Sequence, residues 1–386
     1  MKVKQRPEDF IVEELTDVTA GDRGEFAFYR LDKTGWTTPD ALVAIRRLWN
    51  IDLQRLSYGG LKDRHATTTQ YISIYHGPQE NLRHERIDLE YLGRIPYAYS
   101  SQQIFANRFT ITLRSLTPPD LDRIATAAKQ IETCGVPNYF DDQRFGSVTE
   151  DNRFIALELI RGQFEEALKL ALAAPYEFDR AEDKQEKAIL RQYWGQWPEC
   201  KAKLQRSHAR SLVDFLCQRP GDTKGAVARL RPELSGMYLS AYQSHVWNRM
   251  LARWLTVRSK PESLTMLETR MGPLPSPMVS CEGWESLELP LPSNRMKNEV
   301  NDDIRGLIDA VLAEDGITLD KMKVPGMQKP YFSKGLRIAC LKPEAMAMEP
   351  GDDELNRGRK SMTLRFELPR GAYATMVIKR ITAGEP

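Results

Sequence analysis

The hydrophobic pattern of this chain changes period more than once. Residues 9–14 (DFIVEE) and 25–31 (EFAFYRL) are rich in β-branched and aromatic residues, as strands are. They flank a turn at Gly21–Gly24, which predicts an antiparallel pair. From Thr38 the spacing becomes helical, with Leu42, Ile45 and Trp49 on one face. Thr38 suits the N-cap, Pro39 the first helical position and Asp40 the positive end of the helix dipole. Period two returns at residues 69–75 (TQYISIY) and 108–114 (RFTITLR). In the latter, apolar and polar residues alternate strictly, as in an antiparallel strand with one buried and one wet face. A second helix is predicted from Thr117–Asp120 to Gly135, with Leu121, Ile124, Ala128 and Ile131 on one side.

The middle of the chain is different. Residues 152–173, 182–193 and 239–256 carry Leu, Ile and Ala at helical spacing. Residues 258–295 hold Pro273, Pro275, Pro277, Pro290 and Pro292 among Met and Ser, which predicts mostly irregular backbone. Near the end, residues 364–368 (LRFEL) alternate as a strand, Gly371 breaks it, and residues 372–381 read as a short helix. The simplest architecture is an α+β domain in two sequence-separated halves with a largely helical insertion between them.

Composition narrows the functional classes. Hydrophobic residues at 41% and charged residues at 28% supply a sizeable core, so no disulfide or metal staple is required. The 55 basic and 53 acidic residues leave a formal charge of +2, so any nucleic-acid site must come from local clustering of cations. Cys134, Cys200, Cys217, Cys281 and Cys340 are odd in number and show no C-x-x-C spacing, which argues against a disulfide framework or a thiolate zinc site. No metal site is expected. The N-terminal residues have no apolar signal region, and no apolar run approaches the ~20 residues that span a bilayer, which points to the cytoplasm.

The segment densest in chemistry is Tyr58–Gln70 (YGGLKDRHATTTQ). Two glycines permit a tight turn or close ligand approach, and Asp63 sits between the cations Lys62 and Arg64. With Arg46, Arg47 and Arg55 these cations form a local basic cluster suited to phosphates. Taken alone, the segment equally describes a solvated turn in which Asp63 accepts backbone hydrogen bonds, the commoner use of Asp and Gly. Asn107–Phe109 offers an amide for a base edge and a ring for stacking, or simply a turn and a core residue. Residues 137–146 (PNYFDDQRFG) interleave aromatics with Asn138, Gln143 and Arg144, which suits a nucleic-acid surface or a buried junction. On the helix around residues 240–248, His245 has no recognisable nucleophile beside it, and helix packing is the favoured reading.

Taken in order, these segments resemble the TruD family of tRNA pseudouridine synthases. The matching stretches are Arg6–Phe10 (RPEDF), Gly60–Ala66 (GLKDRHA) with Gln70, and Asn107–Phe109 (NRF). They continue with Pro137–Phe140 (PNYF), Gln143–Gly146 (QRFG), the helix Ala241–Asn248 and Leu368–Thr375 (LPRGAYAT), so the resemblance spans essentially the whole chain. It implies a catalytic domain with a mixed, mainly antiparallel sheet, flanking helices and a central cleft, built from residues 1–148 and 336–386, with a family-specific insertion over 149–335. Position by position, it implies that Asp63 is the catalytic aspartate and Lys4 a basic residue beside it. Phe10, Asn107 and Tyr373 are implied to line the target-base pocket, with Phe109 an aromatic next to the carboxylate. Lys62, Arg64, Gln70, Asn138, Gln143 and Arg144 are candidate RNA contacts. The family usually has Phe where this chain has Tyr373, and Gly where it has Asp141.

The implied reaction breaks the C1′–N1 bond of a uridine and rejoins C1′ to C5. Substrate and product are isomers, so no redox or energy cofactor is implied. The implied partner is tRNA, usually at uridine 13 in bacteria, and no protein partner or amphipathic stripe argues against a monomer. A non-catalytic RNA-binding module, or the same chemistry on another RNA, is the alternative. A glycosidase would need a second carboxylate across a cleft, and none is evident near Asp63. A metal-dependent nuclease would need a ligand cluster that the sequence does not display.

Overall fold

The alternating segments at the two ends of the sequence meet in one nine-stranded sheet. Its strands, numbered within this sheet, are β1 (Phe10–Thr16), β2 (Phe26–Thr34), β3 (Leu56–Tyr58), β4 (Thr67–Tyr75), β5 (Leu82–His84), β6 (Ile87–Ile95), β7 (Ile104–Leu116), β8 (Glu344–Asp352) and β9 (Lys360–Pro369). The order is β8-β9-β7-β1-β4-β2-β6-β5, with β3 also paired to β4. Every pairing is antiparallel except β1 with β4, which run parallel with Ile11 opposite Thr67 and Glu13 opposite Thr69.

That topology corrects the expected hairpin. β1 and β2 are not neighbours, because β4 lies between them. The turn at Gly21 instead makes a bridge to Arg94 at the end of β6. A nine-residue connection (17–25) can step over one strand at a spacing of ~4.8 Å, so turn composition marked the reversal but not the partner.

This computed structural model describes residues 1–176, 179–296 and 300–384. Its contacts divide the chain into two units: Met1–Val136 with Met278–Ser280 and Leu341–Thr382, and the described residues of 137–277, 281–340 and 383–384. Residues 137–148 therefore group with the second unit. Among the described residues no helix is long and apolar enough to cross a membrane.

In the first unit, helices cover the sheet where its apolar side chains project. Helix α1 (Thr38–Trp49) packs Ala41, Leu42 and Ile45 on Ala27, Tyr29, Leu31, Ile72 and Ile74. Helix α2 (Pro118–Cys134) and the helix Ala374–Thr382 cover Phe109, Ile111, Leu113, Leu364 and Phe366. The residue capping α1 is Thr37, whose hydroxyl accepts from the Asp40 N–H, one position before the expected Thr38. Thr38 is buried and used elsewhere, as shown below.

The second unit is mainly helical, with two short strand pairs. The periodic run 152–173 is broken into Ile155–Ile160 and Phe164–Ala173, with Gly162 between them at φ +73°. That backbone conformation favours glycine and stops the first helix. The helix expected over 239–256 extends from Pro232 to Arg258 and is buried on more than one face, with Tyr242, Val246, Trp247 and Leu251 nearly inaccessible. The proline-rich stretch is less irregular than expected. It holds the pair Leu264–Leu267 with Leu274–Pro277, and Glu288–Pro290 pairs with Leu336–Ile338. Asp141 has φ −86°, so a side chain costs nothing where the family pattern carries glycine.

Candidate active site

Parallel strands begin at the same end of a sheet. The segments leading into β1 and β4 therefore lie side by side, and these are the segments carrying Lys4 and Asp63. Lys4 Nζ lies 2.9 Å from Asp63 Oδ2 and 3.8 Å from the ring centroid of Phe10, so one ammonium is shared by a carboxylate and an aromatic face. Side-chain exposure is 23% for Lys4 and 40% for Asp63, which leaves the carboxylate accessible.

The N-terminal segment is held firmly. Lys2 exchanges two backbone hydrogen bonds with Arg114. Asp9 accepts from Arg6 and from Arg114, and the Arg114 guanidinium also meets Asp353 and Glu354. Burial alone would raise the Asp9 carboxyl, but Arg114 and the Arg6 N–H outweigh it and hold its pKa below the usual value. Lys4 itself has φ 55°, left-handed for a residue with a side chain, and the anchors on either side keep it there.

The loop before β4 is cradled from below. The Thr38 hydroxyl accepts from the Lys62 N–H at 2.9 Å and donates to Gln70 Oε1 at 2.9 Å, and Gln70 Nε2 donates to the Gly60 carbonyl at 3.4 Å. Lys33, 1% exposed, donates to the carbonyls of Trp36 at 2.7 Å and Asp63 at 3.3 Å. Burial pushes its pKa down to about 8, partly opposed by Asp63 and reinforced by Lys62. Gly59 is needed because a Cβ there would run into the buried side chains of Ile104 and Tyr99.

Lys62 and Asp63 point to different places. Lys62 Nζ is 3.1 Å from Oε2 of Glu14, a carboxylate with no exposure, and donates to Asn107 Oδ1. The other oxygen of Glu14 accepts from the Tyr99 hydroxyl at 2.9 Å and the Tyr71 N–H at 3.3 Å. Burial and the Glu14 charge keep the Tyr99 hydroxyl protonated well beyond its ordinary range. Glu14 and Asn107 are direct cross-strand partners in the β1–β7 register, which brings the two together from distant sequence.

The aromatics expected at the pocket are placed unequally. Phe10 and Phe109 are 4% and 8% exposed, edge-to-face at 6.3 Å, and Phe109 stacks on Phe366 at 5.7 Å. Both offer little free ring surface. Tyr373 is half-buried just before the C-terminal helix, and its carbonyl accepts from the Met376 N–H. It follows β9, whose Leu368 lies opposite Asn107.

Three of the residues expected to touch RNA are committed internally. Lys62 and Gln70 hold the loop as described. Asn138 donates to the Ile338 carbonyl at 2.9 Å and accepts from Arg337. Their head groups are engaged in hydrogen bonds within the protein. Arg64 and Gln143 are exposed, and half-buried Arg144 donates to Ser244 at 3.1 Å. Arg64 and Arg47 line a cleft of about 770 Å³ with Trp36, Asp40 and His84. In the second unit, residues 137–146 are chiefly packing. Asn248 bonds both the N–H and the carbonyl of Phe140, and the Tyr139 hydroxyl donates to the Pro275 carbonyl. Of the two readings of that block, the buried one describes Asn138, Tyr139, Phe140 and Phe145. His245 stacks on Phe154 at 4.8 Å, a packing role.

Sequence reasoning missed Lys33 and Glu14. Each is a charged residue at a position whose strand alternation demands burial, Lys33 after Tyr29 and Leu31, Glu14 after Phe10 and Val12. A charge on the core face of a strand is the signal that was available. Among the described residues no group of three or more His, Cys, Asp or Glu is arranged to hold a metal ion.

The family model for tRNA pseudouridine synthase D (TruD) matches residues 1–263 and 284–381. A probable tRNA pseudouridine synthase D 2 of Methanocaldococcus jannaschii is 32% identical over all of this chain and 92% of its own length. A tRNA pseudouridine synthase D of Aquifex aeolicus is 28% identical, covering 99% of this chain and 98% of the relative. The crystal structure of a putative tRNA pseudouridine synthase D from Methanosarcina mazei superposes with a TM-score of 0.73 at 27% identity, covering 99% of this chain and 93% of that one. The chain belongs to the tRNA pseudouridine synthase D (TruD) family and is an isomerase of the pseudouridine-synthase class.

Proposed function

We propose that this protein converts a uridine of tRNA to pseudouridine, with uridine 13 as the target, and that Asp63 is the catalytic carboxylate with Lys4 as its cationic partner. The reading rests chiefly on the Lys4–Asp63 pair, an exposed carboxylate held at 2.9 Å by an ammonium at the end of the sheet. The ammonium also orients the carboxylate through a charge-assisted hydrogen bond.

The target nucleoside must leave its stack to reach Asp63. Tyr373 supplies stacking surface, with Phe10 and Phe109 as the other aromatics of the pocket, and Asn107 holds the base edge or ribose. The carboxylate then either attacks C1′, displacing N1, or removes the C2′ proton as N1 departs. In both routes the freed base turns and C1′ bonds to C5, which breaks the Asp63–C1′ bond in the first route and returns the abstracted proton to C2′ in the second; the C5 hydrogen leaves as a proton and N1 gains one. Exposed Arg64 and Gln143 and half-buried Arg144 are the side chains we assign to RNA contacts. We assign the catalytic domain to the unit that carries the sheet, chiefly Met1–Val136 with Leu341–Thr382, and the family-specific insertion to the sequence between those two stretches. All five cysteines are thiols, which supports a reducing, cytoplasmic setting, and we take the working form to be a monomer.

Tritium release from tRNA labelled at uridine C5 tests the reading. Release by the wild type and none by Asp63→Asn, with RNA binding retained, is the expected result. Turnover by Asp63→Asn would overturn the assignment of Asp63. Loss of release when only position 13 is changed would establish the target uridine.

A further inference from the structure

We propose that Lys62 is a positioning residue that locks the side-chain amide of Asn107, so that Asn107 meets the target nucleoside as a hydrogen-bond donor and selects an oxygen acceptor on it. This rests on the reading that Asn107 faces the nucleoside.

An asparagine amide is ordinarily ambivalent. Turning the group over exchanges its oxygen and nitrogen at little cost, so a free Asn accepts as readily as it donates. Lys62 removes that freedom. An ammonium has donors only, so the amide atom against it must be oxygen. Oδ1 is therefore the atom that meets Lys62. Lys62 cannot easily turn away, because Glu14 lies 3.1 Å from it with no exposure and itself accepts from Tyr99 and Tyr71. Releasing Lys62 would strand a buried carboxylate. Glu14 and Asn107 are paired across β1 and β7, so the two oxygens that receive the ammonium are built into the sheet.

The Nδ2 group, with two N–H donors, is consequently the part of Asn107 left to address a ligand. Donation by an amide whose oxygen is held by a cation is strengthened by polarisation. A donor at a nucleobase edge distinguishes bases. The carbonyls of uracil accept from it, whereas the exocyclic amine of cytosine would set donor against donor and leave both without partners. The buried side chain beside Asp63 thus contributes to the choice of uridine without touching it.

Three variants test this, read by tritium release, filter binding of tRNA at several salt concentrations, and melting temperature. Lys62→Met keeps the stem and removes the charge. It should lower kcat about 10- to 100-fold, as the loss of a charge-set hydrogen bond does, with tRNA affinity held within about twofold. Its salt dependence should match the wild type, because Lys62 touches no phosphate. Asn107→Asp keeps an oxygen against Lys62 but presents an acceptor outward. It should lose activity at least as fully as Asn107→Ala while melting no lower than the wild type. Wild-type turnover by Asn107→Asp would overturn the proposal. So would a salt slope reduced by roughly 0.9 in Lys62→Met, the mark of a lost phosphate contact. If the wild type itself released no tritium from any tRNA, the isomerase reading would be the one at fault. The salt slopes and melting temperatures would still decide whether Lys62 faces inward.

Discussion

Lys4 Nζ and Asp63 Oδ2 lie 2.9 Å apart although 59 residues separate them in sequence. They meet because β1 and β4 are parallel neighbours, the one parallel pairing among the described strands of the sheet. Lys4→Met is expected to lower kcat about 10- to 100-fold with tRNA affinity nearly unchanged, because the cation acts on the carboxylate rather than on the RNA. Lys4→Arg should retain part of the activity. A Lys4→Met protein with wild-type kcat would remove Lys4 from the reaction.

Arg114 and Asp9 hold the segment that carries Lys4. Both are nearly inaccessible, with their side-chain atoms 2.7 Å apart. Removing one partner strands a buried charge, so Arg114→Met should cost about 3–5 kcal/mol in urea unfolding. The carboxyls of Asp9 and Asp353 are held below their ordinary values. Their stabilising contribution is present above the unfolded pKa near 3.8 and is lost as pH falls through the folded values. The difference between wild type and Asp9→Asn should therefore shrink below about pH 4. A pH-independent difference would count against this pairing.

Lys33 gives a dependence of the same sign at alkaline pH. Its folded pKa of about 8 lies below the unfolded 10.5, so between those values the unfolded chain binds more protons and stability rises with pH. From pH 7 to pH 10 the wild type should gain about 2–3 kcal/mol relative to Lys33→Met. The same substitution frees the Asp63 carbonyl and should reduce kcat at every pH. A stability difference constant from pH 7 to pH 10 would show that Lys33 is hydrated rather than buried.

His245 acts on the acid side. Burial first, and then Arg249, lower its pKa from 6.5 to about 4, against the opposing pull of Asp315 and Glu314. The unfolded chain takes up a proton below pH 6.5 that the folded chain refuses until about pH 4, so stability falls across that window. Between pH 7 and pH 5 the loss should be about 2 kcal/mol, and His245→Phe should abolish it. If chemical unfolding of the two proteins responds identically to pH, the imidazole is not the group responsible.

Element type and facing were legible wherever a period ran long enough. The alternation at 108–114 marked β7 and its buried Phe109, Ile111 and Leu113, and the Leu42–Ile45 face marked α1. Side-chain direction in the loop 59–66 was not legible, because a loop has no period. Lys62, Asp63 and Arg64 look alike as a polar triplet, yet the first is buried on Glu14, the second is accessible and the third lines a cleft. Which strands would pair was equally closed to local reading, since the turn at Gly21–Gly24 suggested a hairpin that β4 interrupts.

The sequence by itself determined the α+β class, the helical middle, the ordered motifs that mark the family, and Asp63 as the residue to watch. Those follow from local propensity, periodicity and the identity of side chains, which are properties of short stretches. Only the tertiary structure decided that Lys4 reaches Asp63, that Lys62 serves Asn107 and Glu14, and that Lys33 lies beneath the loop. Such contacts depend on strand order and register across the whole sheet, where distant segments compete for the same hydrogen bonds and the same buried face.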